Sequence, residues 1–270
     1  MPPLPLGLVR TGVALLLLAV SVPCSAQLKN PQGVPVLLLS GGQREHHGYR
    51  DQANALAKAL EQTGQFRVTI AEDAAILETE ALNKYKGLIV LTDRRDPEFK
   101  FTLAQQQAML HFVHDQGGGF VTIHGGDNAA PDWTLDLRVM YGGVFSHDTS
   151  RRGPDSKTRK GDYRVHIKTP ENPVCQGISD FDLKDELYYK LQEEPGNTIL
   201  ASITLDNEER PVAWVRTHGK GRVFHTVFGH RDFGPDKHDP LQTPELLKLV
   251  TRGLAWATSG PATAEPAAKP

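Results

Sequence analysis

Histidines and carboxylates follow several apolar runs of this chain, where an α/β protein would place its chemistry. The clearest case is GGGFVTIHGG, residues 117–126, in which an aromatic and β-branched run ends at His124 between glycines. Such a run favours a short central strand, and the glycines permit tight turns at either end. Because open α/β sheets bind ligands at the carboxyl ends of their strands, His124 is predicted to lie at a functional edge. A structural histidine that caps the next segment is the alternative.

Groups that are distant in sequence can meet at this edge, because the ends of parallel strands converge there. Two imidazoles and a carboxylate suffice for a metal site with an open position, and the same groups also suit metal-free acid/base catalysis. The chain has no H-E-x-x-H or C-x-x-C spacing, so convergence alone predicts a metal and both alternatives stay open. The candidates are His46 or His47, Asp93, His124, Asp127, Glu186 and His230.

Other catalytic classes lack their signatures. There is no G-x-S-x-G elbow for a serine hydrolase, and neither G-x-G-x-x-G nor a Walker motif, so we expect no nucleotide cofactor. A formal net charge of -2 gives no indication of nucleic-acid binding. The basic run KTRK at residues 157–160 is interpreted as a solvated loop rather than a phosphate site.

The first 26 residues have the layout of a secretory signal peptide. Arg10 precedes the apolar residues 13–20, and small residues lead to a predicted cleavage after Ala26. We therefore expect a secreted or periplasmic protein that has no stable membrane insertion after cleavage. Residues 259–270 are rich in proline and alanine and predict a disordered tail, which leaves 27–258 as one domain.

Apolar runs and helical spacing predict the elements that position the candidate groups. The first half alternates as β-α-β-β-α-β, with strands at 34–40, 66–70, 88–91 and 120–123 and helices at 49–63 and 102–116. This rhythm predicts a doubly wound, mostly parallel sheet with helices on both faces. In the second half we predict a loop-rich insertion at 127–162, a strand at 163–168, a strand at 199–203, a hairpin of 212–217 with 222–227, and a closing helix at 243–256.

Four motifs in the same chain carry a family resemblance. GGGFVTIH, YGGVFSH, DELY and WVRTHGKGRVFHTVFGH occur in this order between Val34 and Trp256, and together they resemble the trehalose-utilisation, or ThuA-like, family. The resemblance implies a flavodoxin-like α/β sandwich of the class I glutamine-amidotransferase-like type. His124 stands at about the position where amidotransferase relatives carry a cysteine, so glutaminase chemistry is not expected. The resemblance also implies a role in the metabolism of disaccharides and their 3-keto derivatives.

The resemblance also suggests site residues. Recurrent polar positions of the family fall on His47, His124, His147, Glu186 and His230, whereas His225 stands where a tyrosine is expected. We predict that His124, His230 and Glu186 are catalytic. We predict that zinc or manganese binds to His47, His124, His147 and His230. We predict that a sugar contacts Arg44, Asp93, Asp127, Trp133 and Tyr188.

The leading hypothesis is an exported enzyme that acts on a disaccharide or keto-sugar glycoside. Proton abstraction beside a carbonyl, with histidine as the base, would serve isomerisation, elimination or hydrolysis. Retaining glycosidase chemistry is less favoured, because it requires two dedicated carboxylates and only Glu186 is a good candidate. The alternative is a non-catalytic carbohydrate-binding or scaffolding module of the cell envelope. The small-molecule sugar is the expected partner, and a homo-oligomer stays open.

Overall fold

The computed structural model describes residues 32–42, 47–150, 153–235 and 237–260. The predicted signal peptide, Arg44, His46 and residues 261–270 of the predicted tail lie outside these ranges. None of the helices within them has the length and apolarity that a membrane crossing requires.

Within the described ranges, nine strands form one mixed sheet and two short strands form a separate ladder. The strands are β1 (Val34–Leu39), β2 (Phe66–Ala71), β3 (Gly87–Val90), β4 (Gly119–Ile123), β5 (Gly143–Val144), β6 (Lys157–Ile167), β7 (Phe181–Tyr189), β8 (Gln192–Glu193), β9 (Thr198–Leu205), β10 (Glu208–His218) and β11 (Gly221–Thr226). The α-helices are α1 (Tyr49–Gln62), α2 (Leu103–Leu110), α3 (Leu135–Tyr141) and α4 (Pro244–Ala257).

The main sheet has a parallel half and an antiparallel half. Its order is β2-β1-β3-β4-β11-β10-β9-β6-β7. The strands from β2 to β11 pair in parallel, and those from β11 to β7 pair antiparallel. With β11 counted as the fifth parallel strand, the parallel half has the 2-1-3-4-5 order of flavodoxin-like folds. The predicted fold class is confirmed. The structure adds an antiparallel extension, from β10 to β7, to the parallel sheet.

Helices cover both faces of the sheet, as predicted. In β1, Val36 and Leu38 belong to one apolar core while Leu37 and Leu39 belong to the other. Helices α1 and α4 bury their apolar faces in the first core, and α2 and α3 bury theirs in the second. A strand covered on both sides needs apolar residues at every position, which explains the continuous run in β1.

Gly253 allows α4 to lie close to β11, and we expect its replacement by alanine to destabilise the fold. An added Cβ would lie 2.4 Å from two ring carbons of Phe224. Alanine gains about 1 kcal/mol of helix propensity over glycine, but overpacking costs about 1–3 kcal/mol and this contact is severe. We expect the free energy of unfolding in urea to fall by about 1–2 kcal/mol. Thr251→Ala, on the same helix at a half-buried position, is the control; an equal loss there would contradict the steric explanation.

The hairpin of β6 and β7 forms an arm that leaves the main sheet. The two strands pair over nine residues, from Lys157 opposite Tyr189 to Val165 opposite Phe181. In contrast, β6 pairs with β9 only at His166 and Ile167. The sequence prediction placed 157–160 in a loop, and that prediction is wrong. Those residues are exposed in β6, so they lack the apolar alternation by which a half-buried strand is recognised.

Candidate active site

His124 lies at a sharp turn directly after the central strand β4. Every residue of β4 is buried, and His124 itself adopts φ 45° and begins a 3-10 turn, His124–Asp127. A positive φ is uncommon for a residue with a side chain, and such strain concentrates at functional sites. The His124 Nδ1 atom lies 2.8 Å from the carbonyl oxygen of Val227. Because a carbonyl only accepts, Nδ1 carries the proton and Nε2 presents a lone pair.

His230, after β11, presents a second lone pair to the same point. Its Nε2 atom lies 2.9 Å from Oδ1 of Asp232. Hydrogen bonds from Lys160 and His230 lower the pKa of Asp232 to about 2, so this carboxylate is ionised and accepts the Nε2 proton. The remaining nitrogen, Nδ1, lies 3.1 Å from Nε2 of His124. Two lone pairs at this distance repel each other unless a cation, either a proton or a metal ion, lies between or beside them.

Glu186 and His47 complete a group that could hold a metal ion. The Oε2 atom of Glu186 lies 3.2 Å from Nδ1 of His230 and 3.7 Å from Nε2 of His124. One ligand atom from each of His47, His124, Glu186 and His230 lies within 4.8 Å of all the others. Metal–nitrogen bonds of about 2.0–2.1 Å in a tetrahedral site separate the ligands by about 3.3 Å. The donor set and its spacing therefore fit a divalent cation.

The surroundings of these ligands keep them in the form that a cation requires. Burial, followed by the neighbouring His47 and His230, holds the pKa of His124 well below its ordinary value, so its ring stays neutral. The Val227 carbonyl contacts His124 and the Asp232 carboxylate contacts His230. Carbonyl and carboxylate partners of this kind orient metal-binding imidazoles in many proteins. The ring of Tyr188 lies 3.9 Å from that of His124, centroid to centroid, and burial raises the pKa of its hydroxyl.

Asp185 fixes the arm to the turn that carries His230. Its carboxylate accepts hydrogen bonds from the backbone N–H groups of Gly229, His230 and Glu186, at 2.7, 3.0 and 2.7 Å. The residue is 5% exposed. One buried carboxylate thus sets the relative position of two members of the group, Glu186 and His230. This anchoring role of Asp185 was not predicted from the sequence.

A cavity of about 800 Å³ opens above the group. This volume is typical of sites for small molecules. Its wall includes parts of the parallel half, the arm and the loop after β11. The residues that line it include His47, His147, Glu186, Tyr188, His230 and Phe233.

Three residues that were predicted to contact a sugar lie outside the cavity wall. Asp93 is buried, and its carboxylate is bonded to Arg95 and Asn128. The remaining two are Asp127, which is buried 3.1 Å from His225, and Trp133, which packs between Phe101 and Tyr141. Their burial leaves no surface that a ligand could touch. Of the five predicted contacts, Tyr188 is the one within the described residues that lines the cavity.

His147 was predicted to be a metal ligand, but the structure places it outside the group of four. It lines the cavity with a 60% exposed side chain, and its Nδ1 lies 2.7 Å from Asp155. Glu186, predicted as catalytic, takes the fourth position instead. The sequence prediction also left out several lining residues, among them Arg95 and the 65% exposed Phe233. Phe233 lies three residues after His230, a proximity that could have identified it.

Sequence comparison decides the family. The family model described as "ThuA: Trehalose utilisation" matches residues 35–257. The chain belongs to the ThuA family. This ThuA-family protein has no significant match among curated proteins.

Solved structures agree with the fold of this ThuA-family protein. A ThuA-like protein from Parabacteroides merdae superposes with a TM-score of 0.68 at 20% identity, covering 87% of this chain and 94% of that one. A ThuA-like protein from Bacteroides uniformis has a TM-score of 0.64 at 18% identity, with coverages of 84% and 91%. A cytoplasmic protein of Salmonella typhimurium has a TM-score of 0.53 at 18% identity, with coverages of 84% and 98%.

Proposed function

We propose that this ThuA-family protein is an exported enzyme that processes a disaccharide or keto-sugar glycoside by histidine acid/base chemistry beside a divalent metal ion. The observation that carries the proposal is the pair of imidazole lone pairs of His124 and His230, 3.1 Å apart and next to Glu186. A divalent cation bound by these atoms would remove the repulsion between the two lone pairs. The signal-peptide pattern of residues 1–26 supports export.

Three imidazoles and one carboxylate, from His47, His124, His230 and Glu186, would hold the metal. Imidazole nitrogen suits zinc and carboxylate oxygen suits manganese, so both ions fit the mixed set. When bound, such an ion supplies Lewis-acid polarisation of a carbonyl or hydroxyl oxygen of the sugar. The buried Tyr188 ring packs on His124 and restricts the access of water to that side.

His147 is the histidine that would move a proton. The three other described histidines of the site would be occupied as metal ligands, whereas His147 lies on the cavity wall outside that group. Asp155 accepts the proton of Nδ1, which leaves the lone pair of Nε2 as a base. His147 would take a proton from the carbon beside the sugar carbonyl and become an imidazolium. Return of that proton to the neighbouring carbon or to the oxygen gives isomerisation. In elimination, the electron pair left on the carbon instead expels the group on the next carbon, and the imidazolium of His147 gives its proton to the departing group.

Aromatic side chains support a sugar as the substrate. Phe233 is exposed at the mouth of the cavity, and Tyr188 lies deeper in its wall. An exposed aromatic face such as that of Phe233 can stack on the apolar face of a sugar ring, whereas the ring of Tyr188 already packs on His124 and Phe145. The family description, trehalose utilisation, points to the same class of molecule.

The test is turnover of trehalose, of 3-ketotrehalose and of a small panel of other 3-keto disaccharides. We expect consumption of at least one keto-glycoside by the chain purified without an affinity histidine tag, loss of turnover after chelation, and recovery on adding zinc or manganese. Turnover that survives chelation would contradict the metal-assisted mechanism and favour metal-free acid/base catalysis. Sugar binding without any turnover would instead favour the non-catalytic carbohydrate-binding module.

A further inference from the structure

Among the described residues that line the cavity, basic side chains outnumber acidic ones. The two acidic residues, Glu186 and Asp232, are both committed: Glu186 lies in the candidate metal group, and Asp232 accepts from His230. The basic side chains of the wall neither bind the metal nor orient a ligand histidine in the proposed chemistry. The basic lining residues are Arg95, Lys157, Lys160 and Lys237.

Lys160 is the cation most directly joined to the site. On the arm it lies directly opposite Glu186 in the β6–β7 ladder, so the two side chains share one face. Its Nζ atom lies 2.8 Å from Oδ1 of Asp232, the same oxygen that receives the Nε2 proton of His230. One carboxylate oxygen therefore separates the Lys160 ammonium from a histidine of the group.

We infer that the cavity selects an acidic sugar, whose carboxylate or phosphate binds to Lys160 with Lys157 and Lys237 at the rim. This inference rests on the proposed function, because it concerns the same cavity. The side chains of Lys160 and Lys157 are 57% and 49% exposed, and their partners are the surface carboxylates Asp232 and Asp155. Exposed ion pairs of this kind are weak, so an incoming anion can share or replace the existing partner. A bound divalent cation would increase the positive potential of the cavity further.

The same strand supplies a matched control. Arg159 lies between the two lysines but is opposite Leu187 in the ladder, on the other face of the arm. Its guanidinium makes two 3.0 Å bonds to Asp206, and it is absent from the cavity wall described above. Removing its charge changes the net charge of the protein by the same amount as removing that of Lys160.

The experiment is calorimetric titration of the zinc-loaded chain with two pairs of neutral and acidic disaccharides. The pairs are trehalose with trehalose 6-phosphate, and lactose with lactobionate. We expect at least one acid to bind about tenfold or more tightly than its neutral partner, and the pair concerned identifies phosphate or carboxylate. Lys160→Gln should remove most of this difference, since charge-assisted hydrogen bonds are the stronger kind. Arg159→Gln should leave it unchanged, and zinc content should be the same in all three proteins.

Equal affinities within both pairs would overturn the inference and leave the proposed function standing. An acid preference that Lys160→Gln and Arg159→Gln reduce equally would also overturn it, because general charge and not this site would then be responsible. No binding of any of the four sugars by zinc-loaded protein would also overturn the inference, and turnover of a keto-glycoside by the same protein would show that the proposed function still stands.

Discussion

His124→Ala is expected to lose the bound metal and turnover together, whereas His147→Ala is expected to lose turnover alone. His124 contributes one of the four converging ligand atoms, and His147 lies outside that group. Loss of an outer partner of a metal ligand costs about 10–100-fold in affinity, so loss of the ligand itself should cost about 100-fold or more. Loss of a general base typically reduces the rate by about 10²–10⁴-fold, which is the fall expected for His147→Ala.

Elemental analysis of both variants beside the parent chain, together with turnover of a keto-glycoside, separates the two roles. Circular dichroism checks that each variant is folded. If His147→Ala lost the metal, His147 would be a ligand, as the family resemblance implied, and a different base would be needed. If His124→Ala kept the full metal content, the assignment of the metal to this group would be wrong.

The second large effect is expected for Asp185→Ala. The change removes the acceptor for three backbone N–H groups, on Gly229, His230 and Glu186, in a place that is closed to water. A buried donor left without a partner costs about 1–3 kcal/mol, so we expect the free energy of unfolding to fall by about 3 kcal/mol or more. Because the turn of His230 and the arm lose their shared anchor, metal affinity should fall as well.

Urea unfolding and metal titration measure the two consequences. Asp182→Ala is the control on the same strand: its side chain is 81% exposed and pairs with Arg164, so we expect a change within about 0.5 kcal/mol. Asp185→Asn keeps one acceptor oxygen and should fall between the parent and the alanine variant. An Asp185→Ala protein as stable as the Asp182→Ala protein would show that these N–H groups find other partners.

The sequence predicted the parallel half of the fold well because its signals are local. The run in β1 is apolar throughout, and Thr102 accepts from the N–H of Gln105 in a capping box at the start of α2. Each pattern depends only on burial or on one helix end. The predicted strand and the predicted start of the helix therefore lie within a few residues of the observed ones. The arm was predicted poorly, since β7 was not assigned and the outer end of β6 was placed in a loop. Its outer part is paired with one neighbour and lacks the burial that produces a periodic pattern.

The histidines and the carboxylate of the candidate metal group were predicted better than the residues that contact a ligand. The convergence of His124, His230 and Glu186 follows from strand ends and the family resemblance, and the structure brings these three together. Burial is what the sequence did not show: Asp93 and Trp133 resemble binding residues but are enclosed by Arg95, Asn128, Phe101 and Tyr141. Packing between segments that are distant in sequence decides which polar side chain reaches the cavity.

The arm also separates two requirements that an enzyme must otherwise meet with the same residues. His124 is oriented by the carbonyl of Val227, directly after β11, so its position does not depend on the outer end of β6. The side chains of Lys157, Thr158 and Lys160 line the cavity from that outer end. Substitutions there would change the charge and shape offered to a ligand while His124 keeps its orientation. The outer end of β6 could therefore vary while β7 keeps Asp185 and Glu186 in place, so a change of ligand preference would not require a change in the candidate metal group.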